Sequence, residues 1–256
     1  TIKHSVGQFG IGMKRALFKL GKNFRVESTS VNSHFVVEID VDEWKQLEEW
    51  KFKFKDLEEN LKETPEDKRG TSITVTSLHY DGIEQFNLEN FISELIEELR
   101  YEQLYNINKG LDITVNGKFL DAPQLLLLQS DDFKTAYWEK TYPDGMQVKI
   151  YAGISEPDLD IGGWYIFCNE RLILGPEQSE ITGWGAKSPV GIPKYHGQFN
   201  RFRGYVFFDA DDAGLLPLNT TKTNMDIDSP RFQAIRQKMI LLMRPVIDFL
   251  NKLHDE

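Results

Sequence analysis

Near the start of the chain, Gly7-Gln8-Phe9-Gly10-Ile11-Gly12-Met13-Lys14 runs straight into a helix-forming stretch from Lys14 to Leu20. Three glycines within six residues let backbone N–H groups converge on one anion, and a helix N-terminus behind them adds about half a positive charge. The chemistry this suits is binding of nucleotide phosphates. The spacing excludes two other phosphate loops, since no Gly-Lys-Ser/Thr follows and no complete G-x-G-x-x-G is present. On residue chemistry alone, a phosphate cradle and a plain loop-to-helix turn both stay open. A second polar segment, Leu215 to Asn224, sets one cation, Lys222, among Asn219, Thr220, Thr221, Thr223 and Asn224. By itself it reads as an ordinary polar loop. The preceding Asp209, Asp211 and Asp212 lack the Gly and Glu spacing of a calcium-binding EF-hand, so no metal is assigned to them. His4 and His196 have no partner that would make them catalytic and read as surface residues.

The elements that must position these loops follow from periodicity. Phe24 to Thr29 and Phe35 to Val41 read as strands joined by a polar hairpin connection at Ser30 to Ser33. Residues 43–69 carry nine acidic and seven basic residues around Trp44, Leu47, Trp50, Phe52 and Phe54, a solvated insertion whose aromatics lay one stripe on the sheet. Gly70-Thr71 opens an alternating strand, Ser72 to Ser77. Phe91, Leu95, Ile96, Leu99 and Leu104 recur at helical spacing, predicting a helix from about Leu88 to Ile107. Asn116-Gly117 marks a tight hairpin, and a domain boundary is expected near Pro123, giving domains 1–123 and 124–256.

The second domain is expected to begin with strands Thr135 to Thr141, Gln147 to Ile154 and Gly163 to Cys168. Asn169-Glu170 then turns the chain, and a further strand runs from Phe202 to Phe208. Asp228-Ser229-Pro230 caps a closing helix with Phe232, Ile235, Met239, Leu242, Val246, Phe249 and Leu253 on its apolar face.

The 256 residues are 40% hydrophobic and 27% charged, ordinary for a globular chain of two modest domains. The single cysteine, Cys168, excludes an internal disulfide and suits a reducing, cytoplasmic setting. No apolar run approaches the ~20 residues of a membrane span, so no membrane partner is expected. A net charge of −10 repels nucleic acid at long range. Residues 181–208 nevertheless hold no Asp or Glu, while Lys187, Lys194, Arg201 and Arg203 alternate with Trp184, Tyr195, Phe199, Phe202 and Tyr205. That mixture either grips a nucleic-acid or protein partner at 184–205 or packs its aromatics on the sheet.

The run from Ser5 to Ser28, with its Gly-Gln-Phe-Gly-Ile-Gly-Met-Lys core, resembles the phosphate lid of the GHKL ATPases, the superfamily of gyrase-type topoisomerases, heat-shock chaperones, histidine kinases and MutL proteins. Gly70-Thr71 fits the later strand of that fold, and Pro217-Leu-Asn-Thr-Thr-Lys222 looks like the loop by which a second domain offers a cation to the terminal phosphate. The resemblance implies an α+β chain: a partial GHKL (Bergerat-type) sandwich followed by a ribosomal-protein-like α/β domain. It implies ATP as ligand, held by Gly7, Gln8, Phe9, Gly10, Ile11, Gly12, Met13, Lys14 and Thr71, with Lys222 catalytic. A Glu that activates water and an Asn that holds Mg2+ belong, in the family, upstream of the lid; none can be placed in Thr1 to Val6, so the chain is expected to be a fragment.

Cys168-Asn-Glu-Arg-Leu-Ile173 and the lid sequence lean toward the MORC-like and MutL-like branch, whose bacterial members suggest a role in DNA-related or phage-defence processes. Hydrolysis by the full-length parent would drive a domain or homodimer rearrangement. Two other readings stay open: a regulatory module that binds nucleotide without turnover, and a peptide- or nucleic-acid-binding scaffold using 184–205.

Overall fold

The computed structural model describes residues 11–49, 51–221 and 224–255. The chain has the α+β class expected from the sequence, with antiparallel pairing throughout except for one parallel strand pair. It divides into two compact units, a smaller one up to Glu94 and a larger one from Leu95 onward.

The smaller unit begins with helix α1 (Gly12–Leu20), followed by strands β1 (Gly21–Thr29) and β2 (Ser33–Asp40) and a single-turn helix α2 (Val41–Trp44). Strand β3 (Phe54–Glu59) and strand β4 (Gly70–Leu78) complete a sheet of order β3-β2-β1-β4. Alternation separates its faces. Phe24 and Val26 of β1 lie opposite Ile39 and Val37 of β2 and opposite Val75 and Ile73 of β4. On this apolar face Leu17 of α1 packs into a small core with Phe24, Val26, Ile39 and Val41. The reverse face carries Arg25, bonded to Glu27 at 2.7 Å and to Glu38 at 2.5 Å, with Lys55 on the same Glu38. The hairpin at Ser30 to Ser33 closes as expected, through Ser30 N–H donating to Ser33 C=O at 2.8 Å. The charged stretch 43–69 does more than cover the sheet: it supplies β3 as an extra edge strand, and Phe54 sits edge-on to Phe35 at 5.6 Å. Helix α3 (Tyr80–Phe86) follows β4.

Helix α4 (Phe91–Glu102) leads into the larger unit and α5 (Leu104–Asn108) follows it, so the single helix expected over 88–107 is interrupted at Gln103, whose φ of −100° and ψ of 13° leave the α region. Strands β5 (Thr114–Val115) and β6 (Lys118–Phe119) form the Asn116-Gly117 hairpin, with φ of 50° and 77° at the two turn residues. Those positive values are what a type I′ turn demands and what Asn-Gly tolerates. Asn108 ties this region to the next segment by donating to Pro123 C=O and accepting from Leu125 N–H. Residues 95–123 therefore pack within the larger unit.

A five-stranded sheet of order β10-β9-β11-β8-β7 follows, built from β7 (Ala136–Thr141), β8 (Gln147–Ile154), β9 (Gly163–Cys168), β10 (Arg171–Glu177) and β11 (Phe202–Asp209). Its two faces are both buried. Val148, Ile150, Trp164, Ile166, Cys168, Val206 and Phe208 face the long helix α6 (Pro230–Asp255), while Tyr165, Phe167 and Tyr205 face Leu104. Ser229 Oγ accepts from Phe232 N–H at 3.2 Å, and Pro230 occupies the first turn. The buried stripe of α6 runs Phe232, Ile235, Met239, Met243, Val246, Leu250, with Ile240 and Ile247. Leu253 is 46% exposed, so the apolar face is rotated from the expected one at its C-terminal end. Asp144, at the β7–β8 turn, accepts from Arg231 of α6 at 2.6 Å, and that guanidinium holds its carboxyl below the usual aspartate range.

Gly204 is the tightest point of this core. A Cβ added there would lie 2.2 Å from the fully buried Trp164 ring. Gly204→Ala should therefore lower unfolding stability by about 3 kcal/mol, an overpacking effect near the top of its usual range. Denaturant unfolding of the variant checks this, and an unchanged midpoint would contradict the packing described.

Candidate functional site

The C-terminal end of helix α1 is anchored. Gly21 follows it, in extended conformation, and donates its N–H to Leu17 C=O. A side chain at Gly21 would collide with Thr76 C=O at 2.6 Å, so only glycine lets the helix turn directly into a strand flanked by β4. His79 then pins the helix end twice: its N–H donates to Leu20 C=O at 2.9 Å and its Nε2 lies 3.2 Å from Phe18 O. Phe18 packs on Phe24 and Trp44, each at 5.4 Å between ring centroids.

At the other end of α1 the described residues begin at Ile11. Ile11 is the N-cap residue, and no side chain caps the helix there. The hydrogen-bond ladder begins with Arg15 N–H donating to Ile11 C=O at 2.9 Å, so the amides of Gly12, Met13 and Lys14 precede it. The first turn holds no acid, Lys14 and Arg15 are exposed, and Lys19 closes the helix with another cation. Nothing lies within 4 Å of a Cβ added at Gly12. Amides that precede the helical ladder, a positive helix end, neighbouring cations and, among the described residues, free space at a glycine suit an anion.

Of the residues expected to hold ATP, Ile11, Gly12, Met13 and Lys14 stand together on this turn, whereas Gly7, Gln8, Phe9 and Gly10 lie outside the described residues. Thr71 sits elsewhere in the sheet. It pairs with Ser28 of β1, and the two hydroxyls are 2.9 Å apart. Seven residues of β1 separate Ser28 from the α1 junction at Gly21, about 24 Å of strand.

Lys222 also lies outside the described residues, but the neck of its loop is built. Leu218 and Met225 form a bridge, Asn219 N–H donates to Asn224 C=O at 2.9 Å, and Asn219 Oδ1 accepts from Thr221 Oγ1 at 3.0 Å. Buried Leu216 and Met225 root the loop in the core of the larger unit. Among the described residues no group of three His, Cys, Asp or Glu side chains could hold a metal ion. No described helix is long and apolar enough to cross a membrane.

The basic aromatic segment resolves toward packing. Trp184, Phe199, Phe202 and Tyr205 are buried, Tyr195 stands edge-on to Trp184 at 4.9 Å, and Arg203 is only 3% exposed. Arg203 is satisfied by three backbone carbonyls, of Asn200, Phe202 and Glu156. Trp184, Phe199, Phe202 and Tyr205 are thus held in the core, the packing alternative for 184–205, while Tyr195 is half-buried and Lys187 and Lys194 are exposed. His196 caps a short 3-10 turn, its Nδ1 accepting from Gln198 N–H at 3.4 Å. Burial pushes the Cys168 thiol up, away from nucleophilic use.

Asn169 reads in the sequence as a turn residue and as part of the Cys168–Ile173 resemblance, without this role. It is buried with φ of 45°, and its amide clamps one residue from both sides: Nδ2 donates to Ala210 C=O at 2.9 Å and Oδ1 accepts from Ala210 N–H at 2.8 Å. The clamp fixes the end of β11, from which the chain enters the Lys222 loop. The local signal for it is an Asn at a position that takes positive φ.

No family model and no curated protein matches the chain. Among solved structures it is similar to the B subunit of DNA gyrase from Myxococcus xanthus, at 12% identity and a TM-score of 0.46 over 88% of this chain and 67% of that one. It is also similar to the 43K ATPase domain of Thermus thermophilus gyrase B in complex with an aminocoumarin, at 11% identity and a TM-score of 0.39 over 96% and 70% of the two chains. A third is the topoisomerase IV ATP-binding domain of Francisella tularensis in complex with a small-molecule inhibitor, at 9% identity and 0.35 over 97% and 73%.

Asn169→Ala removes both clamp bonds and leaves two buried backbone groups unpaired, so stability should fall by about 3 kcal/mol. Hydrogen exchange at the Ala210 amide should accelerate with it. Unaltered protection of that amide would show that the clamp does not hold the strand end.

Proposed function

We propose that this chain binds ATP through its phosphates at the Gly7–Lys14 loop and the first turn of α1, as part of a GHKL-type ATPase. The observation that carries the reading is the acid-free start of α1, with no cap from the Ile11 side chain, free space at Gly12 among the described residues and exposed Lys14 beside it. A triphosphate would accept from the first-turn amides, and its charge would be met by the helix end and by Lys14. The likenesses to solved structures add no weight; the order of the motifs and the helix terminus support the reading.

Lys222 is the proposed cation for the terminal phosphate, where a fixed ammonium stabilises charge that builds on the bridging oxygen as the bond breaks. Presented from a loop with a closed neck, it would make the disposition of that loop respond to nucleotide, and a domain or dimer rearrangement would follow. The activating Glu and the Mg2+-binding Asn are proposed to lie on a segment preceding the lid. Placement in the MORC-like or MutL-like branch rests on Cys168-Asn-Glu-Arg-Leu-Ile173 and the lid sequence alone.

Labelled ATP with Mg2+ should bind this chain with little phosphate release. Gly12→Ala separates fold from site: it should raise stability by about 0.5 kcal/mol through better helix propensity yet weaken ATP binding, because its Cβ takes the space the phosphates approach. No ATP binding by the unaltered chain, or unchanged affinity in Gly12→Ala, would sink the assignment. Once the preceding segment is present, Lys222→Ala should slow hydrolysis on the order of 100-fold with affinity nearly unchanged, as single-turnover and binding assays would reveal.

A further inference from the structure

The outer face of the five-stranded sheet carries a cleft of about 700 Å³ that lies wholly within the larger unit. Its floor is Tyr151 of β8 and Phe207 of β11, two rings 6.2 Å apart and nearly perpendicular. Tyr105 of α5 and the side chains of Leu125 and Leu127 form the wall. A slot with aromatic and leucine sides suits a flat ring, which buries both faces there.

The charges decide what that ring must carry. Glu170 lines the rim but is bound to Lys109 at 2.8 Å, and the Lys109 ammonium also rests 5.0 Å from the Tyr105 ring centre. Asp209 and Asp211, the other lining carboxylates, each have interactions of their own. Lys149 differs. It is half-buried on the floor strand, directly across from Phe207, and it has no hydrogen bond or ion pair among the described residues. Its cross-strand neighbour on β7, Glu139, accepts instead from the Tyr137 hydroxyl at 2.6 Å. An anionic group entering the cleft would find in Lys149 a cation not engaged by its cross-strand carboxylate and would gain a charge-assisted hydrogen bond from it. The surrounding carboxylates disfavour several negative charges at once.

We propose that this cleft binds a small aromatic monocarboxylate, with its ring against Tyr151 and Phe207 and its carboxylate on Lys149 Nζ. Its lining residues are not among those of the proposed nucleotide site, and the acidic rim disfavours a polyphosphate.

Three probes share one ring and differ only in charge: 4-hydroxyphenylacetate, its neutral amide, and tyramine. In calorimetric or ligand-observed NMR titrations of the full chain, the acid should bind at least about tenfold more tightly than the amide, as a charge-assisted bond predicts. Tyramine should bind most weakly, and excess ATP should not compete. Lys149→Met, which keeps the apolar stem, should erase the acid's advantage over the amide while the melting temperature stays unchanged; Lys149→Arg should retain it. Tighter binding of tyramine, equal binding of acid and amide, no binding of any probe at millimolar concentration, or an acid affinity indifferent to Lys149→Met would each overturn the proposal.

Discussion

A central strand covered on both faces is the constraint from which the larger unit follows. β11 lies between β9 and β8, so its even-numbered residues face α6 and its odd-numbered residues face α5 and the segment after it. Neither parity can be left polar without partners. Gly204 yields its side-chain volume to Trp164, Arg203 is neutralised in effect by a ring of carbonyls, and the aromatics of 184–205 have to pack inward. A segment that looks like a charged aromatic ligand surface thus becomes the filling between sheet and helix. The same constraint makes the outer face aromatic, and where α5 and Leu125 to Leu127 stop covering it a cleft is left.

The smaller unit obeys a different balance. Its four strands have one apolar face, and α1 and Trp44 cover it around Phe24. Helix α1 is held there by its C-terminal half, through Leu17, Phe18, Gly21 and His79, and among the described residues its first turn takes no part in that packing. A helix that needs its first turn for packing or capping could not also offer bare amides to an anion. Division of labour along nine residues is therefore what makes phosphate binding at Gly12 to Lys14 physically reasonable.

The Lys222 loop shows a comparable division. Leu216 and Met225 anchor it, Asn219 closes its neck, and Asn169 fixes the strand end that leads to it. The polar residues of Leu215 to Asn224 thus serve the shape of the loop as much as any ligand.

Local patterns determined a good deal from sequence alone. Alternation fixed β1, β2, β4, β8, β9 and β11 to within a few residues, Asn116-Gly117 fixed the hairpin, and Ser229-Pro230 fixed the start of α6, because each depends on neighbours a few positions away. What only the tertiary structure decided are the matters set by distant partners. The break at Gln103, the recruitment of 54–59 as an edge strand, the rotated stripe of α6 and the burial of Trp184 and Arg203 all depend on which surface each side chain meets. So does the isolation of Lys149, since a lysine on an alternating strand is ordinary until its cross-strand carboxylate is found bonded elsewhere. Periodicity says which face a residue takes; only the packed chain says what already occupies that face.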